Sequence, residues 1–161
     1  MGGLIIVNIF ISNIYHNLEP DGVTAIRHLY FGGYDMNTKK ITVLMVEPGK
    51  NPKVTTLKDD LESLQKAVSI GADYQGLIEI VSLGNGDCIM CNEEGKLIGL
   101  EGNRRLGNDI LVGVFYVMSE NEEGELVSLS EKKIKRYMEL FWEPEMFDRT
   151  DIEATISFGL I

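Results

Sequence analysis

From residue 40 onward, apolar residues come in short β-branched runs separated by turn-forming clusters, and twice the period lengthens to that of a helix. "KITVLMVE" (40–47) reads as a strand, "PGKNP" (48–52) as a Pro/Gly turn, and "KVTTL" as a short returning strand. In "DDLESLQKAVS" (59–69), Leu61, Leu64, Ala67 and Val68 recur at helical spacing. Asp59 or Asp60 is placed to cap its start, and Gly71 lies past its end. "GLIEIVSL" (76–83) and "CIMCN" (88–92) read as strands joined by the hairpin-type turn "GNGD". "EEGK" is the next turn, and "LIGLEGNRRLGND" (97–109) reads as a Gly/Asn-rich loop lying over the sheet.

"DILVGVFYVMS" (109–119) is the strongest strand and apolar enough to be central. Gly113 in its middle marks a bulge or a close backbone approach. After the acidic turn "ENEEGE", "SLSEKKIKRYMELF" (128–141) opens with a capping Ser128 or Ser130 and carries Ile134, Tyr137, Met138 and Phe141 on one face. "TDIEATISFGLI" (150–161) is a tail that can add an edge strand. The expected architecture is α+β: a mostly antiparallel sheet of four to six strands with two helices packed on it.

Residues 1–35 differ from the rest. They contain no lysine, are rich in Ile, Asn, Phe and Tyr, and hold both histidines, His16 and His28. Gly32-Gly33 can be encoded by a bacterial ribosome-binding sequence at a suitable distance from a start at Met36, and "MNTKKITVLMVE" has the look of a bacterial N-terminus. Residues 1–35 are therefore expected to be an upstream segment from a misassigned start, or else an N-terminal extension with a strand and a helix. Residues 36–149 form the expected single domain, followed by the tail.

Composition narrows the function. Of 161 residues, 44% are hydrophobic, enough for one packed core. The formal charge is −10, which disfavours direct nucleic-acid binding, where affinity comes from Lys and Arg on phosphates. "GLIIVNIFISNIY" (3–15) is too short and too polar for a membrane span, and it has no basic n-region for a signal peptide. No membrane contact and a cytoplasmic location are expected.

The chemistry on offer is sparse. Cys88 and Cys91 form a CxxC, but three residues apart in a strand they face opposite sides. Beyond Met36 there is no histidine, no GxxxxGK[ST] and no GxGxxG. No catalytic set, metal site or cofactor is expected, and an enzyme is the least favoured class. Asp87 with "EGK" (94–96) loosely matches a metal-dependent nuclease pattern, but "EGK" reads as a turn. "GNRRLGN" (102–108) is the better candidate. Arg104 and Arg105 offer forks for phosphate or carboxylate, flanking glycines allow backbone N–H groups near an anion, and Asn103 and Asn108 can read a base or ribose edge. Asn92 and Lys96 are candidates to join them across the sheet, and Tyr137 or Trp142 to supply a stacking wall. The plain alternative is that Arg104 pairs with a nearby Glu, Asn103 satisfies loop carbonyls and Tyr137 packs in the core.

The order "VEPGK", "LESLQKAV", "CNEEGKLIGLEGNR", "DILVGVFYV", "SLSEKKIKRYMELF", from about Lys39 to Phe147, resembles the bacterial and phage domain of unknown function 3846. The resemblance implies an accessory protein of phages or conjugative elements, in the company of antirestriction-type genes. Two functions are consistent with that. One is a non-enzymatic counter-defence protein that sequesters a small nucleotide-like anion. The other is an acidic protein, in the extreme a DNA mimic, that binds a basic host protein; its scattered carboxylates fit mimicry poorly. A regulatory domain with neither property is the bland alternative. Homo-oligomers through the edges of 109–119 or 150–161 are also expected.

Overall fold

The computed structural model describes residues 39–158; the segment 1–35, with His16 and His28, lies outside the described residues. The elements run β1 (Lys40–Val46), β2 (Lys53–Lys58), α1 (Leu61–Val68), β3 (Ile78–Gly84), β4 (Asp87–Asn92), β5 (Gly102–Leu106), β6 (Asp109–Val112), β7 (Phe115–Glu120), β8 (Leu126–Val127), α2 (Glu131–Leu140) and α3 (Arg149–Phe158). The fold is α+β. Six strands form an antiparallel sheet in the order β2-β1-β7-β4-β3, with β8 beside the far end of β7, and β5-β6 make a separate two-stranded sheet.

Both faces of the main sheet are covered, which is why its middle strands carry apolar residues on both faces. Ile41, Val43 and Met45 of β1, Cys88 and Met90 of β4, and Tyr116 and Met118 of β7 pack under Leu64, Ala67 and Val68 of α1. The alternate residues Leu44, Val46, Ile89, Cys91, Phe115 and Val117 pack under Tyr137 and Phe141 of α2. Phe115 meets Phe141 edge to face at 5.2 Å between ring centroids. Asp60, not Asp59, caps α1, accepting from the Ser63 N–H at 2.8 Å, and Ser130 caps α2. Ser128 acts elsewhere, since its Oγ accepts from the Thr42 N–H at 2.8 Å and ties β8 to β1.

Three expectations change. The segment 97–109 is not wholly loop, because 102–106 forms β5. The segment 109–119 is two strands, broken at Gly113 with φ +66°. A Cβ there would also lie 2.7 Å from Leu100 Cδ1, a side-chain end that would have to shift, so the turn from the small sheet into the large one favours glycine through its positive φ. Residues 149–158 of the tail form a helix rather than an edge strand. Asp148 and Asp151 accept from each other's N–H groups at 2.9 and 3.0 Å, a reciprocal cap of the first turn, and Ile152 is buried with Leu100, Ile110 and Val112. Of the two expected edges, the β7 part of 109–119 is closed, paired by β1 and β4, and 149–158 is a helix, while β6 pairs only with β5 among the described residues.

A polar cluster pins α2 to the sheet. Asp87, 2% exposed at the start of β4, accepts from Lys133 Nζ at 2.6 Å, Ser119 Oγ at 2.8 Å and Tyr137 OH at 2.8 Å. The nuclease-like role for Asp87 has no support in this geometry, since its carboxylate is fully engaged and Lys96 pairs elsewhere, with Asp109. Burial alone would raise the Asp87 pKa, but the bonds from Lys133, Tyr137 and Ser119 outweigh it and hold the carboxyl below its ordinary value. A folded pKa below the unfolded one adds stability above the unfolded value of about 3.9, and that stability is lost as pH falls through the folded value.

Two outcomes follow from these contacts. Gly113→Ala should lower stability by about 1–3 kcal/mol through positive φ and the Leu100 clash, read as a drop in urea midpoint at unchanged m-value. Asp87→Asn should cost about 2–3 kcal/mol at pH 7, and the gap from wild type should close as pH falls below about 4. Urea melts of both proteins from pH 7 to pH 2 measure it; a gap that stays constant with pH would refute the ionised-Asp87 account.

Candidate functional site

Asn103 and Arg104 are the most enclosed polar residues of the small sheet, at 0% and 1% exposure. Asn103 Nδ2 donates to the carbonyls of Val46 at 3.0 Å and Gly113 at 2.6 Å. Its Oδ1 and its own carbonyl each accept from Arg104 Nη1 at 2.9 Å. Arg104 Nε donates to the Phe141 carbonyl at 3.0 Å and Nη2 to the Lys50 carbonyl at 2.7 Å. The guanidinium fork, which has five donors, thus makes four bonds to neutral acceptors from β5, the β1–β2 turn and the end of α2. Burial lowers the Arg104 pKa, against the pull of Glu145 and Glu143. The pair is architectural, with the fork turned inward onto the frame rather than toward a ligand. Of the plain alternative, Asn103 does bond carbonyls, while Arg104 bonds carbonyls and an amide oxygen in place of a Glu.

The other expected residues do not gather around it. Asn92, 4% exposed at the end of β4, donates to the Val68 carbonyl at 3.4 Å and accepts from the Glu94 N–H at 2.9 Å. Lys96 pairs with Asp109 and reaches Thr155 Oγ1 at 3.2 Å. Arg105 is exposed; its guanidinium lies 5.4 Å from the Phe147 ring centre, and its N–H donates to Glu145 at 2.9 Å. Asn108 is exposed in the β5–β6 turn. Tyr137 is a core residue, 3% exposed, bonded to Asp87 and stacked on Phe141. Trp142 is 47% exposed and accepts through its carbonyl from Asn51 at 2.7 Å.

A concave surface among the described residues lies elsewhere. A cleft of about 420 Å³ opens between the β1–β2 turn, the loop after α1 and the segment leading into β5. Its lining includes the apolar Leu100, Ile98 and Ala72 with Gly113, and the charged Glu47, Lys50, Asp73 and Glu101. Glu47 accepts from Lys53 at 2.7 Å and Lys50 at 3.0 Å, which hold its carboxyl below the ordinary range. Among the described residues, Asp73 and Glu101 enter no salt bridge, and Tyr74 stands half-exposed beside them. The sequence hints at Asp73 only through the Gly-flanked "GADYQG" loop, and at Glu101 through its place between Gly99 and Gly102.

The two cysteines fall on opposite faces of the sheet, Cys88 under α1 and Cys91 under α2. Burial pushes both thiols up to about 12, so neither is a nucleophile near neutral pH. Among the described residues no group of three or more His, Cys, Asp or Glu is placed to hold a metal ion, and no helix is long and apolar enough to cross a membrane.

If Arg104 is a structural tie, Arg104→Met should destabilise the protein by about 3 kcal/mol or more, by orphaning the Lys50 and Phe141 carbonyls, while Arg105→Met should change stability by less than about 0.5 kcal/mol. Thermal and urea melts of the two variants check this; equal effects would refute it.

No curated protein and no solved structure matches the chain. Residues 41–142, from β1 through the end of α2, match the model of a family described as Domain of unknown function (DUF3846). That span covers well over half of the chain and contains the sheet, both sheet-covering helices, Asn103 and Arg104; the chain belongs to this family of domains of unknown function.

Proposed function

We propose that this is a non-enzymatic accessory protein, of the phage or mobile-element kind, that captures a lysine- or arginine-bearing segment of a host protein in the cleft beside Gly113. The observation that carries the reading is the balance of charge in the cleft lining. Its one lysine, Lys50, is tied to Glu47, and Glu47 is matched a second time by Lys53. Asp73 and Glu101 remain as uncompensated carboxylates in a partly apolar lining. A cationic side chain entering there gains Coulomb attraction, and Tyr74 offers an aromatic face beside it. The net charge of −10 adds long-range steering toward a basic partner.

The nucleotide-like reading is less well supported. It depends on Arg104, whose fork is occupied inside the fold, so only Arg105 and Asn108 of the "GNRRLGN" candidates face solvent.

Calorimetric titration with a short Arg/Lys peptide and, separately, with ADP distinguishes the two. The peptide should bind, and Asp73→Asn with Glu101→Gln should weaken it by about 5–10-fold for each charge removed, with further loss at high salt. ADP binding that is lost in Arg105→Ala, with no heat from the basic peptide, would overturn the proposal and restore the nucleotide reading.

A further inference from the structure

The two ends of the main sheet are unequal. At one end, β2 is flanked by exposed Lys53 and Lys58, with Thr55 and Thr56 between them, the charged and polar trim that keeps an edge from pairing. At the other end, β3 reads Ile78-Glu79-Ile80-Val81-Ser82-Leu83-Gly84, with no lysine and no proline, and it pairs only with β4 among the described residues. Ile78 and Ile80 are half-buried against the α1-side core, Val81 and Leu83 against the α2-side core, and Leu77 just before them is 53% exposed.

The ladder also fixes which peptide groups are open. The Leu77 carbonyl accepts from the Glu93 N–H at 3.0 Å, in register with Ile78 opposite Asn92. In an antiparallel pair, inward-bonding residues alternate with outward-facing ones. Residues 77, 79 and 81 therefore bond inward, and Ile78, Ile80 and Ser82 turn their N–H and C=O groups away from the sheet.

We propose that β3 is where two copies of this chain join, edge to edge and antiparallel, across a two-fold axis at Ile80. The strand is self-complementary in that register. Ile80 faces Ile80 of the second copy and Ile78 faces Ser82, so the outward peptide groups meet one another. Half-exposed Leu77 faces Leu83, and Glu79 faces Val81 rather than its own copy. Charge favours a second copy over a basic segment. In a chain of net charge −10, β3 carries one charge, and that carboxylate already accepts a bond from Cys91 Sγ at 3.8 Å. A basic partner finds little to hold here, whereas two nearly neutral edges meet without the repulsion that the rest of the surface would impose. The joined sheet would continue both apolar cores across the axis.

Sedimentation of the full chain, with residue-resolved amide exchange, tests this directly. The expected species has twice the 18.0 kDa chain mass, and the Ile80 and Ser82 amides exchange about 100-fold or more slowly than open amides. Ser82→Pro removes an outward N–H from an exposed position and should weaken association at least about tenfold, whereas Val54→Lys on the opposite edge should leave it unchanged. Should Ser82→Pro fail to fold by circular dichroism, the wild-type exchange data decide alone. A species of single chain mass, free exchange at Ile80 and Ser82, or a dimer broken by Val54→Lys and not by Ser82→Pro would overturn the proposal. Slow exchange in a single-mass species would overturn it too, by assigning the edge to another segment of the same chain.

Discussion

One buried guanidinium sets the arrangement of the elements around the cleft. Arg104 bonds the β1–β2 turn through the Lys50 carbonyl, the end of α2 through Phe141, and Asn103, which itself bridges the end of β1 to Gly113. Removing a charge from water costs several kcal/mol. Four charge-assisted bonds, at about 1.5–3 kcal/mol each, are of the size needed to offset it. The helix adds a further contribution. No basic residue lies in the last turn of α2, and Arg104 brings a positive charge to that negative end from another strand. The small β5–β6 sheet thereby becomes the joint between the main sheet and α2.

The cleft is a by-product of the same joint. Gly113 bends the chain from β6 into β7, its N–H donates to the Glu101 carbonyl at 2.7 Å, and its carbonyl is held by Asn103. Glu101 is thus fixed in the lining, and so is the β1–β2 turn, held by Arg104. The atoms that give the cleft its charge and those that hold it in shape are different: the frame bonds take the backbone carbonyls of Lys50 and Glu101, not the side-chain carboxylates of Asp73 and Glu101. Variants of Asp73 or Glu101 can report on binding without disturbing the frame.

How much of this is legible in the sequence depends on whether the pattern is apolar or polar. Both sheet-covering helices and the main-sheet strands other than the two-residue β8 follow from alternation and helical spacing, because their inward residues are mainly Ile, Val, Leu, Met and Phe. The opposite facing of Cys88 and Cys91 follows from strand parity alone. β5 is hidden because two of its buried residues are Asn103 and Arg104, types found mainly on surfaces, so the strand has no apolar signature. α3 is hidden because its cap, Asp148, precedes the stretch that reads as a tail. The residues expected to form one site are close in sequence, but β-pairing sends Asn92 toward α1, Lys96 toward α3 and Arg104 into the interior.

The central position of β7 has a bearing on how the chain assembles. The β1-β2 and β3-β4 hairpins are local in sequence and can close early, but they do not pair with each other; β7, which starts at Phe115, is the strand that joins them. On a ribosome, both hairpins must wait with one side unpaired until some thirty residues beyond Asn92 have emerged. The sides left waiting are β1, KITVLMV, and β4, DCIMCN, both largely buried in the finished sheet, so the inner edge of each hairpin is open to premature partners while the polypeptide is still being made.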